Sequence, residues 1–105
     1  MTIKEFKILL ENTFEKSRKT YDHKMNEYAT DLDVFQSFKV GVGFSFQNTP
    51  EGVAWNYACK HFESIKNIIS KVSDEVPTDE LLDEKIGDAI NYLIIIKGLI
   101  KERGD

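Results

Sequence analysis

The chain has 105 residues, with 14 lysines and arginines against 18 aspartates and glutamates, which gives a formal net charge of −4 at pH 7. This length suits a single domain, residues 1–105, whose modest core would gain stability from oligomerisation. The acidic balance argues against binding along a nucleic-acid backbone, which requires a basic face.

Cysteine content and hydropathy limit the environment of the chain. Cys59 is the only cysteine, so no intramolecular disulfide can form, and its apolar helical surroundings predict a buried, inert thiol. The first residues, MTIKEFKILLEN, are charged, unlike a signal peptide. The longest apolar run, Tyr92 to Ile96, is too short to span a bilayer. We therefore expect a cytoplasmic protein with no membrane partner.

The first predicted helix has a clear start. Thr2 is followed three residues later by Glu5, which forms a capping box. Apolar side chains then recur near heptad spacing, which predicts an amphipathic helix that ends near Tyr28. This stripe consists of Ile3, Leu10, Phe14, Tyr21, Met25 and Tyr28.

Residues 30–48 interrupt that pattern. A short helix from Asp33 to about Val40 is predicted, with Asp33 as its N-cap, and Gly41 and Gly43 are expected to break it. The two glycines lack the strand–helix context of a phosphate-binding loop, which favours a turn. Core or interface packing is the simplest role for the aromatic residues here, with base stacking as the alternative. These residues are Phe35, Phe38, Phe44 and Phe46.

Two further long helices are predicted. Thr49, Pro50 and Glu51 form a strong helix start, and a helix to about residue 72 follows. Its apolar stripe consists of Trp55, Ala58, Phe62, Ile65, Ile69 and Val72. Thr78 caps the last helix, which runs to about Lys101. The expected fold is an all-α bundle of three long helices and a short one, completed by oligomerisation.

The last helix carries three polar side chains on one face. At 100° per residue, Glu84, Asp88 and Asn91 lie within about 60° of one another. Exposure to water is the simplest interpretation, but Ile95 and Leu99 continue the same stripe, and a helix that is apolar on nearly all sides is typically buried. Two carboxylates and an amide would bind a divalent cation or sugar hydroxyls. A structural role is the alternative. The opposite stripe consists of Leu82, Ile86, Ala89, Leu93, Ile96 and Ile100.

The segment EKIGDAINYL, residues 84–93, resembles a motif of a known family. This is the D-x-x-x-D-x-x-N-Y helix of the nucleotide modification associated domain, type 1, which occurs largely in phage and prophage genomes. Asp88, Asn91 and Tyr92 match the motif, and Glu84 stands where an aspartate is usual.

Two other segments resemble the same family. KMNEYA, residues 24–29, is similar to its K-x-x-D/E-Y-G segment, and Asp31 and Asp33 follow. Lys60 lies in a helix that resembles the family's lysine-bearing second helix. The resemblance implies a nucleotide or a nucleotide-derived small molecule as partner. The nucleotide-binding residues it implies are Lys24, Glu27, Tyr28, Lys60, Asn91 and Tyr92.

The last helix also resembles, more distantly, the MazG-like all-α NTP pyrophosphatases. Those enzymes hold Mg²⁺ on an E-x-x-E helix and an E-E-x-x-D helix. Glu84 and Asp88 match two of these positions, which implies a Mg²⁺ cofactor at this pair in a MazG-like bundle. Lys85 replaces the second glutamate, and the preceding helix has Lys60, His61, Glu63 and Lys66 in place of the E-x-x-E motif.

Whether the chain is an enzyme stays open for this reason. The leading hypothesis is a phage-type nucleotide-binding protein, with or without NTP pyrophosphohydrolase-like activity, acting as a homo-oligomer in the host cytoplasm. One alternative is a sponge without catalytic activity that sequesters a nucleotide immune signal, an anti-defence function. The other is a protein-binding adaptor that uses the phenylalanine-rich segment 34–46. His23 and His61 lie on different helices, which favours surface or flanking histidines over metal ligands.

Overall fold

A computed structural model describes residues 1–28 and 33–105, with side chains described for residues 1–23 and 33–105. Four helices follow one another in this part of the chain: α1 (Ile3–Tyr28), α2 (Gln36–Phe44), α3 (Pro50–Lys71) and α4 (Asp79–Gly104). The all-α class and the pattern of three long helices and one short helix are confirmed. No described helix is long and apolar enough to cross a membrane.

The starts of the three long helices are those predicted from their caps. At α1, the backbone N–H of Glu5 donates to Thr2 Oγ1 at 3.1 Å, and the N–H of Thr2 donates to Glu5 Oε2 at 3.3 Å. Thr49 Oγ1 accepts from the N–H of Gly52 at 3.0 Å, and Thr78 Oγ1 accepts from the N–H of Leu81 at 3.2 Å. These side chains satisfy donors that the first helical turn leaves without a partner.

The short helix α2 differs from its prediction at both ends. Asp33 is not its N-cap residue, because Asp33 Oδ1 accepts from the N–H of Phe35 at 2.9 Å and the helix begins at Gln36. The helix then continues through Gly41 and Gly43 to Phe44. A Cβ atom at Gly41 would lie 3.0 Å from Cγ1 of Val53, so this glycine brings α2 close to α3. The expectation that the glycines break the helix was therefore wrong.

Helices α3 and α4 form an antiparallel pair around which the other helices pack. Glu51 at the start of α3 binds Arg103 at the end of α4 through two hydrogen bonds of 3.0 and 2.8 Å. Most of the buried residues of these two helices are small. The buried residues are Val53, Ala54 and Ala58 in α3, and Gly87, Asp88, Ala89 and Leu99 in α4. Small side chains let the two backbones approach closely.

Helix α1 meets α4 at the buried Ser17. The side-chain amide of Asn91 donates to the backbone carbonyl of Ser17 at 3.0 Å, and Lys16 Nζ lies 2.8 Å from Asp83 Oδ2. A Cβ atom at Gly87 would lie 3.1 Å from the Ser17 hydroxyl. The close approach of these two helices thus depends on two small residues.

The inward face of α3 is rotated from the predicted stripe. Trp55 and Ile69 are 54% and 65% exposed, whereas Ala54 and Ala58 are fully buried. Cys59 is exposed, which corrects the expectation of a buried thiol. The reason is geometric: Ala58 is on the buried face of α3, and the next residue lies about 100° further round the helix.

The faces of α4 also differ in part from the apolar pattern. Leu93 and Ile100 of the main apolar stripe are about half exposed, while Leu99, on the stripe of the polar triad, is buried. Helix α4 is apolar on most sides, so periodicity alone does not select which side packs. The contacts with α1 and α3 select the side that carries Asp88.

Candidate functional site

A carboxylate and an imidazole face each other between α3 and α4. Asp88 is 6% exposed, and its Oδ2 lies 3.8 Å from Nδ1 of His61. The two become an ion pair when the imidazole is protonated, and a buried carboxylate requires such a partner because an unpaired charge is costly to bury. The buried carboxylate of Asp88 thus has an imidazole as one of its neighbours at the contact between α3 and α4.

Three aromatic side chains surround this pair. Tyr92 stacks on His61 with ring centroids 5.1 Å apart and on Tyr57 with centroids 6.2 Å apart. Phe38 from α2 meets the rings of Tyr57 and Tyr92 edge-on, each at 6.4 Å. Three helices thus contribute to one set of rings. We call Phe38, Tyr57, His61, Asp88 and Tyr92 the ring cluster.

The outer edge of the ring cluster is open and positively charged. Tyr57 is 46% exposed, and the exposed Lys60 places its Nζ 5.5 Å from the centroid of the Tyr57 ring. This distance is within the range of a cation–π contact. An exposed aromatic face beside an ammonium group can stack a flat ring and bind an anionic substituent on it.

Asp88, Tyr92 and Lys60, three of the residues predicted to form the site, meet in or beside this cluster. Asn91 points elsewhere, because its amide joins α1 to α4 through the Ser17 carbonyl. The carboxylate of Glu84 is 62% exposed and lies 3.8 Å from the ammonium of Lys85. The structure does not describe the side chains of the remaining predicted residues, Lys24, Glu27 and Tyr28. Asp31 lies wholly outside the described residues.

The predicted metal pair has unequal surroundings. Glu84 and Asp88 lie one turn apart on α4, but the first faces solvent and the second is buried beside His61. Among the described side chains, no group of three or more histidines, cysteines, aspartates and glutamates could hold a metal ion. Mg²⁺ is often bound by one or two carboxylates plus substrate phosphates. Any such ion here would therefore depend on the bound phosphates for most of its remaining ligands.

Ion pairs near the C-terminal end of α4 link this helix to α2 and α3, which also contribute residues to the ring cluster. Lys39 of α2 binds both Asp33, at 2.7 Å, and Glu102. The hydrogen bond from Lys39, with a further one from the N–H of Phe35, lowers the pKa of the Asp33 carboxyl. The hydrogen bonds from Arg103 likewise lower the pKa of Glu51. These contacts fasten α2 and the start of α3 to the end of α4.

Two members of the ring cluster were missed as site residues by sequence reasoning. Tyr57 was not singled out, and His61 was interpreted as a surface or flanking residue. A signal was present: at 3.6 residues per turn, Ala54, Tyr57 and His61 share a face with Ala58. The large side chains of Trp55 and Phe62 drew the predicted stripe to a neighbouring face.

A separate cavity of about 280 Å³ lies near the turn between α3 and α4. Asn67, Ile68, Lys71, Thr78 and Leu81 are among its lining residues, and none of the residues predicted to form the site lines it.

No known protein family, curated protein or solved structure matches the chain. The candidate site is therefore the ring cluster.

Proposed function

We propose that the chain binds a nucleotide at the outer edge of the ring cluster. The observation that carries the proposal is the exposed ring of Tyr57 with the ammonium of Lys60 above it, backed by Tyr92 and the His61–Asp88 pair. A base would displace the Lys60 ammonium from the Tyr57 ring and stack there, since stacking on an aromatic side chain contributes about 1–3 kcal/mol per base. Lys60 would bind a phosphate.

The inner members of the ring cluster, His61 and Asp88, would orient the ligand. Because Nδ1 of His61 faces Asp88 at 3.8 Å, Nε2 is the ring nitrogen that would meet a ligand. In the proposal this nitrogen contacts a phosphate or ribose oxygen, and Asp88 holds the imidazole in place. Lys24, Glu27 and Tyr28 remain predicted contacts on the strength of the family resemblance.

The family resemblance extends the proposal to the source of the protein and to the reaction that it would carry out on a nucleotide. A phage or prophage protein of this kind would act in the host cytoplasm as a homo-oligomer, either on nucleotides destined for modification or on a nucleotide immune signal. Hydrolysis of a triphosphate would require Mg²⁺ bound by Asp88, Glu84 and the phosphates together. A sponge would require binding alone.

Ligand binding is tested by thermal unfolding of the native chain with a panel of nucleoside triphosphates, monophosphates and cyclic dinucleotides, each with and without Mg²⁺. A ligand of the folded state stabilises it by about 2.7 kcal/mol when its concentration is 100 times Kd. We expect a shift of several degrees in the melting temperature for at least one nucleotide. The proposal fails if no nucleotide changes it.

Two pairs of variants locate the site. Lys60→Gln and Tyr57→Leu should reduce or abolish the shift. Lys66→Gln and Trp55→Leu, which remove a cation and an aromatic ring at exposed positions of α3 outside the ring cluster, should preserve it. Equal shifts in both members of a pair would place the ligand elsewhere. Asp88→Asn keeps the shape of the side chain and should weaken binding by releasing His61.

Pyrophosphate release separates the two forms of the proposal. Release that requires Mg²⁺ and is lost in both Glu84→Gln and Asp88→Asn would identify a pyrophosphohydrolase. Tight binding without release, unaffected by Glu84→Gln, would identify a sponge.

A protein-binding adaptor is the second candidate, and one observation favours it. Phe44 at the end of α2 is 89% exposed, and Phe46, just beyond α2, is fully exposed. Exposed aromatic residues of this size are typical of contact surfaces. The adaptor becomes the better proposal if the nucleotide panel leaves the melting temperature unchanged.

A further inference from the structure

The chain exposes more surface than a compact monomer of its size. A folded monomer of 12.1 kDa is expected to expose about 6,000 Å², whereas this chain exposes 8265 Å². Its radius of gyration is 15.8 Å, against about 13 Å for a compact domain of this length. The excess of roughly 2,200 Å² exceeds the area of about 800 Å² per partner that a standard interface buries.

One face of α1 carries a row of exposed apolar side chains. The half of the helix before Ser17 carries six large apolar side chains that are each about half exposed or more, and four of them lie on one side of the helix. We call these four the N-terminal face: Ile3, Phe6, Leu10 and Phe14. At 100° per residue they lie on the same side of α1 as Ser17, which is buried against α4. The packed face therefore continues, uncovered, towards the N-terminus.

We propose that the N-terminal face of α1 packs against the same face of a second copy of the chain, with the two α1 helices antiparallel. An isologous pair of this kind closes after two copies, because each contributes the same patch. The charges beside the face fit this arrangement. Lys7 and Glu11 are exposed along one edge, and antiparallel packing brings Lys7 near Glu11 of the partner subunit.

This surface gives a location to the homo-oligomeric part of the proposed function. The four apolar residues lie in α1, whereas the residues of the ring cluster come from α2, α3 and α4. The two proposals can therefore fail separately.

The test compares two glutamate variants of α1 by mass in solution. Leu10 and Ile8 are 45% and 50% exposed, and they point about 160° apart around the helix. In light scattering after size exclusion, we expect a dimer for the native chain and for Ile8→Glu. Leu10→Glu should be monomeric, with the helix content of the native chain by circular dichroism.

A charge exchange tests the antiparallel register. Lys7→Glu should weaken the dimer by at least tenfold in its dissociation constant, and the double variant Lys7→Glu with Glu11→Lys should restore it. A native chain that is monomeric at all concentrations overturns both the oligomer and its surface. A dimer that persists in Leu10→Glu overturns the surface alone. A nucleotide-induced shift in melting temperature that survives in monomeric Leu10→Glu leaves the ring cluster intact.

Discussion

The α3–α4 pair and the N-terminal half of α1 use apolar side chains in opposite ways. Between α3 and α4, small residues such as Ala54 and Ala58 are fully buried, while Trp55 remains half exposed. In α1, the large side chains of Ile3 and Phe6 are exposed, and among the side chains described for residues 3–23 only Ser17 is buried. The first region packs within one chain, and the second is left exposed.

The difference teaches that helix proximity, more than side-chain size, decides burial in this small protein. Where Gly87 and Ser17 bring two backbones together, there is little room for large side chains. Those side chains then collect on the outside, where a partner or a ligand can use them. Substitutions in and around the α3–α4 pair measure how complete its packing is.

The largest effect is expected at Leu99. Leu99→Ala removes a side chain that is 3% exposed and leaves a cavity, which should cost about 2–4 kcal/mol of unfolding free energy. Ile100→Ala changes the next residue, which is 57% exposed, and should cost less than about 1 kcal/mol. Urea unfolding measures both. Similar losses would mean that the outer face of α4 is covered in solution.

Overpacking at Ala58 should have the next largest effect. Ala58→Leu forces a larger side chain between α3 and α4 and should cost about 1–3 kcal/mol. Cys59→Leu adds a side chain of the same kind at an exposed position one residue later, and should change stability by about 0.5 kcal/mol or less. If both variants are tolerated equally, the close approach of the two helices is contradicted.

Two glycines in helices should respond in opposite directions. A Cβ atom at Gly43 meets nothing within 4 Å, so Gly43→Ala should stabilise the chain by about 0.5–1 kcal/mol through helix propensity. A Cβ atom at Gly98 would lie 2.7 Å from Cζ of Phe35, so Gly98→Ala must displace that ring. We expect its melting temperature to fall below that of the native chain. A rise in both variants would show that Phe35 moves aside at little cost.

The smallest effect concerns pH and the Glu51–Arg103 pair. The hydrogen bonds from Arg103 lower the pKa of Glu51 from its ordinary value of 4.5. The contribution of the pair is therefore present above that value and lost as the pH falls through the lowered pKa of the folded chain. Arg103→Gln should reduce stability at neutral pH, and the difference from the native chain should vanish at low pH.

The control for this pair is Lys101→Gln, which removes a cation from the same helical turn without touching Glu51. Its effect should be smaller than that of Arg103→Gln near pH 7. Equal losses in the two variants would mean that helix-end charge, and not the pair, is responsible.

Sequence reasoning succeeded where the determinants are local. Thr2, Thr49 and Thr78 bind backbone groups within three residues, so the starts of the long helices could be predicted. It failed where a distant helix decides. Gly41 was taken for a breaker because its contact with Val53 of α3 is not visible in the sequence.

The candidate site was predictable to a similar extent. Asp88 and Tyr92 stood out on α4, because a polar stripe interrupted an apolar helix. Tyr57 and His61 entered only when α3 and α4 were brought together, since their contacts with Tyr92 join residues more than 30 positions apart.

The end of α4 has a consequence for any shortened or tagged version of the chain. Glu102 and Arg103 lie within three residues of Asp105. Glu102 forms an ion pair with Lys39 of α2, and Arg103 forms one with Glu51 of α3. Removing the last four residues would break the ion pairs that link α4 to both α2 and α3. For studies of the ring cluster, a fusion partner should therefore be attached at the N-terminus. For studies of dimerisation, it should be attached at the C-terminus through a spacer.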